Sequence, residues 1–181
     1  IQYICQNILK DYSKAYGLKH ISFRYFCAAG ATKTHGESRD YETHLMPTVI
    51  DHILGKTDEI SIFGSDFDTI DGSGVRDYVH VVDVAKGHLA SIEYCKKNSG
   101  LFTFNLGTGT GYSVIQMLES FQRINSLKIP YNIVGRRLGD IAESFANVAL
   151  AKNILGWEAE LSLDDMCRDS WNWQLKNPDG Y

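Results

Sequence analysis

The residues with most chemical content fall in two segments, Gly72-Ser73-Gly74-Val75-Arg76-Asp77-Tyr78 and Arg136-Arg137-Leu138-Gly139-Asp140. In the first, two glycines let backbone approach a ligand closely, and an arginine follows at once. A guanidinium is a rigid fork of donors that matches phosphate oxygens, and a nearby carboxylate accepts from two adjacent hydroxyls of a ribose. Two arginine sites and Asp140 are thus the minimum set for a nucleoside diphosphate. The same arginines suit surface ion pairs with the many neighbouring aspartates, and spacing alone leaves both readings open.

Two other motifs invite chemistry and fail on inspection. Gly107-x-Gly109-x-Gly111, between a strand and a helix, resembles a dinucleotide loop, but Tyr112 stands at the third glycine position of G-x-G-x-x-G. No acidic residue closes the next strand, where Val134 runs into Gly135-Arg136. A tight turn into a capped helix is the expectation there. The run Asp66-Phe67-Asp68-Thr69-Ile70-Asp71-Gly72 resembles a calcium loop until counted: Asp71 stands where that loop needs glycine, and Asp77 where it needs a bidentate glutamate. It reads as a solvated loop.

These segments must be positioned by a chain of 181 residues, enough for about one domain, with 44% hydrophobic residues to form a core. Eighteen Lys and Arg against 22 Asp and Glu give a net charge of −4, which argues against a nucleic-acid surface. No apolar run approaches the ~18 residues of a membrane span, and no basic and apolar leader opens the chain. Four dispersed cysteines without C-x-x-C fit a reducing, cytoplasmic setting, and six scattered histidines give no metal-ligand spacing.

The apolar periodicity of Ile1, Ile4, Cys5, Ile8, Leu9 and Tyr12 predicts a helix to about Ala15, ended by Gly17. With no N-cap before it, the chain reads as cut from something longer. Strands are expected at His20 to Cys27, Ser61 to Gly64, Tyr78 to Val82, Phe102 to Leu106 and Tyr131 to Val134. Helices are expected at Leu45 to Leu54, from an Asp83 cap to Lys97, at Val114 to Ile124 behind Ser113, briefly near Leu150, and at Leu163 to Leu175. Ala31 to Thr43 and Gly135 to Phe145 read as polar, irregular segments. Alternating strands and helices argue an α/β architecture.

Arg24-Tyr25-Phe26, His44-Leu45-Met46-Pro47, Ile62-Phe63-Gly64, Asp71-Gly-Ser-Gly-Val-Arg-Asp-Tyr-Val-His-Val81, Asn105-Leu-Gly107, Arg136-Arg-x-Gly-Asp140, Leu155-Gly-Trp157 and Trp171-x-Trp173 occur in that order. In order and spacing the chain resembles the C-terminal half of the UDP-glucose 4-epimerase family, within the extended short-chain dehydrogenases/reductases. The resemblance implies an α/β fold in which residues 1–30 end an NAD-binding Rossmann domain and residues 31–181 form mainly a smaller, mixed α/β UDP-sugar-binding domain, with return segments to the Rossmann sheet.

It further implies interconversion of UDP-glucose and UDP-galactose, and possible N-acetyl forms, through an NAD-linked 4-keto sugar. Arg76 and Arg137 would anchor the diphosphate and Asp140 accept from the ribose. Leu45, Ser61, Ile62 and Phe63 would surround the uracil, with His44 near the phosphates. Tyr25 would stand beside the nicotinamide. Cys27 takes the place of a substrate-contacting Asn, and Ser144 the place that walls off the sugar's 2-substituent; a small side chain there leaves room for an acetamido group. The family's Rossmann glycines and catalytic Tyr-x-x-x-Lys are absent from these residues, so the chain alone is expected to be inactive. Homodimers or larger assemblies are expected through Ile21, Phe23 and Tyr25, on a strand bared by the lack of the N-terminal Rossmann portion. A sugar-nucleotide dehydratase or decarboxylase and a non-catalytic nucleotide-sugar module are the competing functions.

Overall fold

The computed structural model describes residues 2–38 and 44–181. Ile1, Thr43 and the end of the expected irregular segment therefore lie outside the described residues. Helix α1 (Gln2–Tyr16) ends at Gly17, which takes a positive φ of 69°. Then come β1 (His20–Tyr25), β2 (Cys27–Ala29), α2 (Leu45–Ile53), β3 (Ser61–Phe63), β4 (Val75–Arg76), β5 (Tyr78–His80) and α3 (Val81–Lys97). The second half runs β6 (Leu101–Leu106), β7 (Tyr112–Ser113), α4 (Val114–Asn125), β8 (Asn132–Val134), β9 (Glu143–Ser144), a π-helical turn (Ala151–Leu155) and α5 (Leu163–Lys176).

Parallel pairing dominates, as expected when helices return the chain between strands. β1 runs parallel to β6 from His20 opposite Leu101 to Tyr25 opposite Leu106. β2 pairs with β5 and β3 with β8, both parallel. β4 is flanked by antiparallel β7 and parallel β9, which sets Arg76 opposite both Tyr112 and Ser144.

Two hydrophobic clusters hold these layers. The larger gathers Val49 and Ile50 of α2, Ile62 of β3, Tyr78 of β5, Met117 and Phe121 of α4, and Met166 of α5. The second seats Phe104 and Leu106 of β6 against Trp157, with Ile21 and Phe23 of β1 packed on it. Ile21 and Phe23 are therefore half-buried while Tyr25 is exposed, and α1 carries a further set of exposed apolar side chains at Tyr3, Ile4, Ile8, Tyr12 and Tyr16. No helix among the described residues is long and apolar enough to cross a membrane.

The expected cap of α3 is corrected. His80 is the N-cap, its Nδ1 accepting from the amide of Val82 at 3.1 Å. Asp83 instead lies buried in the first turn, where Oδ2 accepts the amides of Glu160 at 3.0 Å and Leu161 at 2.8 Å. It ties α3 to the stretch before α5. The segment expected to be irregular after Val134 contains β9, whose two residues carry too short a pattern to read.

Ser113 does cap α4, through a reciprocal box: its Oγ accepts from the Gln116 amide at 3.0 Å, and Gln116 Oε1 accepts from the Ser113 amide at 2.9 Å. Ser113→Ala is expected to lower the unfolding free energy by about 1–2 kcal/mol, read from the urea midpoint, and Ser113→Thr to restore most of it.

Candidate functional site

Asp77 organises the site from behind. Its carboxylate is fully buried and accepts from Thr108 N at 2.8 Å, Thr108 Oγ1 at 2.7 Å, Gly109 N at 2.9 Å and Ala146 N at 3.1 Å. Its backbone carbonyl accepts from Cys27 N at 2.9 Å, and its amide donates to the Ser144 carbonyl at 3.1 Å. The glycine-rich turn is thus an anion cradle whose anion belongs to the same chain. A Cβ on Gly107 would stand 2.5 Å from Asp77 Oδ2, so only glycine allows this approach.

Because side chains alternate along extended backbone, sending Asp77 inward turns Arg76 and Tyr78 to the other face. Both line a cavity of about 1010 Å³, at the upper end of what ligand sites occupy. Of the residues singled out in the sequence, Cys27, His44, Leu45 and Ser61 line it, and so do Ile62, Phe63, Arg137 and Asp140. Tyr25 and Ser144 are not among its lining residues. Ser144 is half-buried in β9 beside Arg76, and Tyr25 precedes the lining residue Phe26.

The three arginines have different fates. Arg76 Nη1 donates to the Val75 carbonyl at 2.7 Å, and among the described residues no carboxylate pairs with it. Arg136 is spent on the protein itself: Nε donates to Asp66 Oδ1 at 2.6 Å, Nη2 to the Asp66 carbonyl, and the guanidinium lies 4.0 Å from the Phe67 ring centre. Arg137 faces the cavity, 4.6 Å from the Phe63 ring centre, with Nε on Asp140 Oδ2 at 2.9 Å and Nη2 on Oδ1 at 3.3 Å. Both adjacent arginines are ion-paired to aspartates, and of the two only Arg137 lines the cavity.

His44 Nδ1 sits 3.0 Å from Glu37 Oε1 at the cavity wall. Cys27 remains exposed on the concave face; burial of its surroundings pushes the thiol above its ordinary value, opposed by the Arg76 charge. Burial also pushes the Tyr78 phenol up. Tyr25 Oη lies 2.9 Å from His88 Nε2, and His88 Nδ1 lies 2.9 Å from the Val84 carbonyl. A carbonyl only accepts, so neutral His88 carries its proton on Nδ1 and the Tyr25 hydroxyl donates to Nε2.

Tyr78, Phe67 and Glu37 also line the cavity. The two-residue period from Arg76 would have found Tyr78; Phe67 and Glu37 come from loops without a period to read. The acidic run folds as a loop in which Asp71 Oδ1 accepts from the amide of Ser73 at 2.9 Å and its hydroxyl at 2.7 Å. Among the described residues no group of three or more His, Cys, Asp or Glu is placed to hold a metal ion.

The model of the NAD dependent epimerase/dehydratase family matches residues 2–107, more than half of the chain, and the chain belongs to that family. It is a homologue of UDP-glucose 4-epimerases at about 45% identity. The Homo sapiens UDP-glucose 4-epimerase is 46% identical over 164 residues, 89% of this chain and 47% of the relative. That of Pasteurella multocida (strain Pm70) is 44% identical over 184 residues, 99% of this chain and 54% of the relative. The crystal structure of the Bifidobacterium longum UDP-glucose 4-epimerase in complex with NAD+ and UDP superposes with a TM-score of 0.91 at 42% identity, over 99% of this chain and 54% of that one. The Stenotrophomonas maltophila enzyme, with NAD and formylated UDP-arabinopyranose, gives 0.92 at 38% identity, over 98% and 54%. The chain spans about half the length of these relatives, and its α/β fold matches that part of their structures.

Replacing Asp77 by Ala would strand three buried amides. A loss of about 3 kcal/mol or more is expected in denaturant unfolding, with faster hydrogen exchange at Thr108 and Gly109 than at α4.

Proposed function

We propose that the cavity binds a UDP-sugar and that the chain is the UDP-sugar-binding portion of a UDP-hexose 4-epimerase acting on UDP-glucose and UDP-galactose. The carrying observation is Arg76, which has no carboxylate partner among the described residues and shares one cavity with Arg137 and Asp140. A guanidinium left to carbonyl oxygens gains most from a ligand anion. The diphosphate sits on Arg76 and Arg137 with His44 close by, the ribose on Asp140, and the uracil among Leu45, Ser61, Ile62 and Phe63. The sugar then faces Cys27, with Ser144 beside its 2-substituent, small enough to admit an N-acetyl group. Relatives crystallised with UDP or a UDP-sugar support this class of ligand.

NAD would supply hydride transfer, with Tyr25 beside the nicotinamide. The Gly107 to Gly111 turn does not fit the cofactor's diphosphate, because Asp77 already takes its amides. The 181 residues contain neither G-x-x-G-x-x-G nor Tyr-x-x-x-Lys, so they hold and orient the nucleotide while proton and hydride transfer are supplied by other groups. The β1 and β6 cluster is the end of the Rossmann domain in this reading, and the exposed side chains of α1 are where self-association occurs.

Arg76→Ala and Arg137→Ala are each expected to weaken UDP about tenfold or more in calorimetry; unchanged affinity in both would defeat the reading. The 181-residue chain with added NAD should not turn over UDP-glucose above a contaminant control.

A further inference from the structure

We propose that the ion pair between Arg137 and Asp140 is a specificity device: the cavity admits a diphosphate readily only when the same ligand brings vicinal hydroxyls for Asp140. This rests on the UDP-sugar reading and deepens it, since that reading gives each residue a ligand group but leaves open what happens to the bond between them. The two side chains occupy each other through two hydrogen bonds, Nε to Oδ2 at 2.9 Å and Nη2 to Oδ1 at 3.3 Å. The guanidinium is further held over the Phe63 ring. Asp140 is the more buried member, with 21% of its side chain exposed against 58% for Arg137, so solvent replaces a lost partner less well at the carboxylate.

An incoming anion finds the Nη1 donors and one Nη2 donor of Arg137 still free, since the pair takes only Nε and one Nη2 hydrogen. It also sets a second negative charge beside the carboxylate, and like charges at close range repel. Pyrophosphate gives Asp140 nothing in return. A nucleoside diphosphate gives it two hydroxyl donors, which offset that repulsion. Arg76 carries no such condition, because among the described residues no carboxylate pairs with it. Asp140 therefore selects against bare polyphosphates as well as for ribose.

The test is calorimetric titration of the chain and its Asp140→Asn variant with UDP, a UDP analogue lacking both ribose hydroxyls, and inorganic pyrophosphate. The variant is expected to bind pyrophosphate about twofold to fivefold more tightly, the range of an exposed ion pair. It is expected to bind UDP about tenfold more weakly and to lose the preference for UDP over the analogue. Asp140→Ser, which cannot hold the guanidinium through a side-chain amide, should tighten pyrophosphate likewise. Glu158→Gln removes the same charge from the partner of Lys152, an exposed pair outside the cavity lining, and should leave pyrophosphate unchanged; equal tightening there would mean a general charge effect and overturn the proposal. If UDP fails to bind the parent chain, the UDP-sugar reading fails and this inference with it. If UDP binds but neither Asp140 variant tightens pyrophosphate, the inference alone fails.

Discussion

Burying the Asp77 carboxylate is the constraint on which the rest of the site depends. A buried charge is tolerated only where several donors converge on it. Here they come from the turn after β6 and from Ala146 beyond β9, while the backbone of Asp77 binds Cys27 and Ser144. Side chain and backbone together, Asp77 ties its own strand to three other pieces of chain: Cys27, the turn at Thr108 and Gly109, and Ser144 to Ala146. The alternation of extended backbone then aims Arg76 and Tyr78 into the cavity. Site geometry here is a consequence of a core requirement.

The arginines show how environment rather than residue type decides a role. Arg136 and Arg137 are adjacent, and each stacks on a phenylalanine, yet one bonds a loop carboxylate and its carbonyl while the other turns to the cavity. Arg136 braces the loop that carries Phe67, itself a cavity residue. Arg137 thus stands on a wall its neighbour holds in place.

The long elements were legible because apolar period and caps agree: α1, α2, α4, α5, β1 and β6 stand close to where pattern places them. Arg76, Arg137 and Asp140 stand out in the sequence because their chemistry suits a phosphate and a ribose, and the structure brings the three to one cavity; the resemblance added Cys27, His44 and the β3 residues, which carry no chemical signature of their own. Other features were opaque for physical reasons. β9 is two residues long and exists through pairing with β4. Asp83 has the composition of a cap and the position of one, but its partners lie at Glu160 and Leu161, a separation no local pattern reports. The glycine-rich turn was read as a turn into a capped helix, which is its structure; that its amides hold Asp77 required the fold.

What the cavity lacks follows from the same electrostatics. A phenol or thiol acts as a general base near neutral pH only when its proton affinity is lowered. Burial drives two wall residues the other way: the Tyr78 phenol and the Cys27 thiol both hold their protons more tightly than in water. The Tyr25 hydroxyl already donates to His88. The wall further carries His35, the His44 and Glu37 pair, a guanidinium without a carboxylate partner among the described residues, the Arg137 and Asp140 pair, and aromatic and aliphatic surface. That inventory suits an anion joined to a ribose and a flat base, the ligand class proposed for the cavity, because guanidinium, carboxylate and aromatic faces each match one part of it.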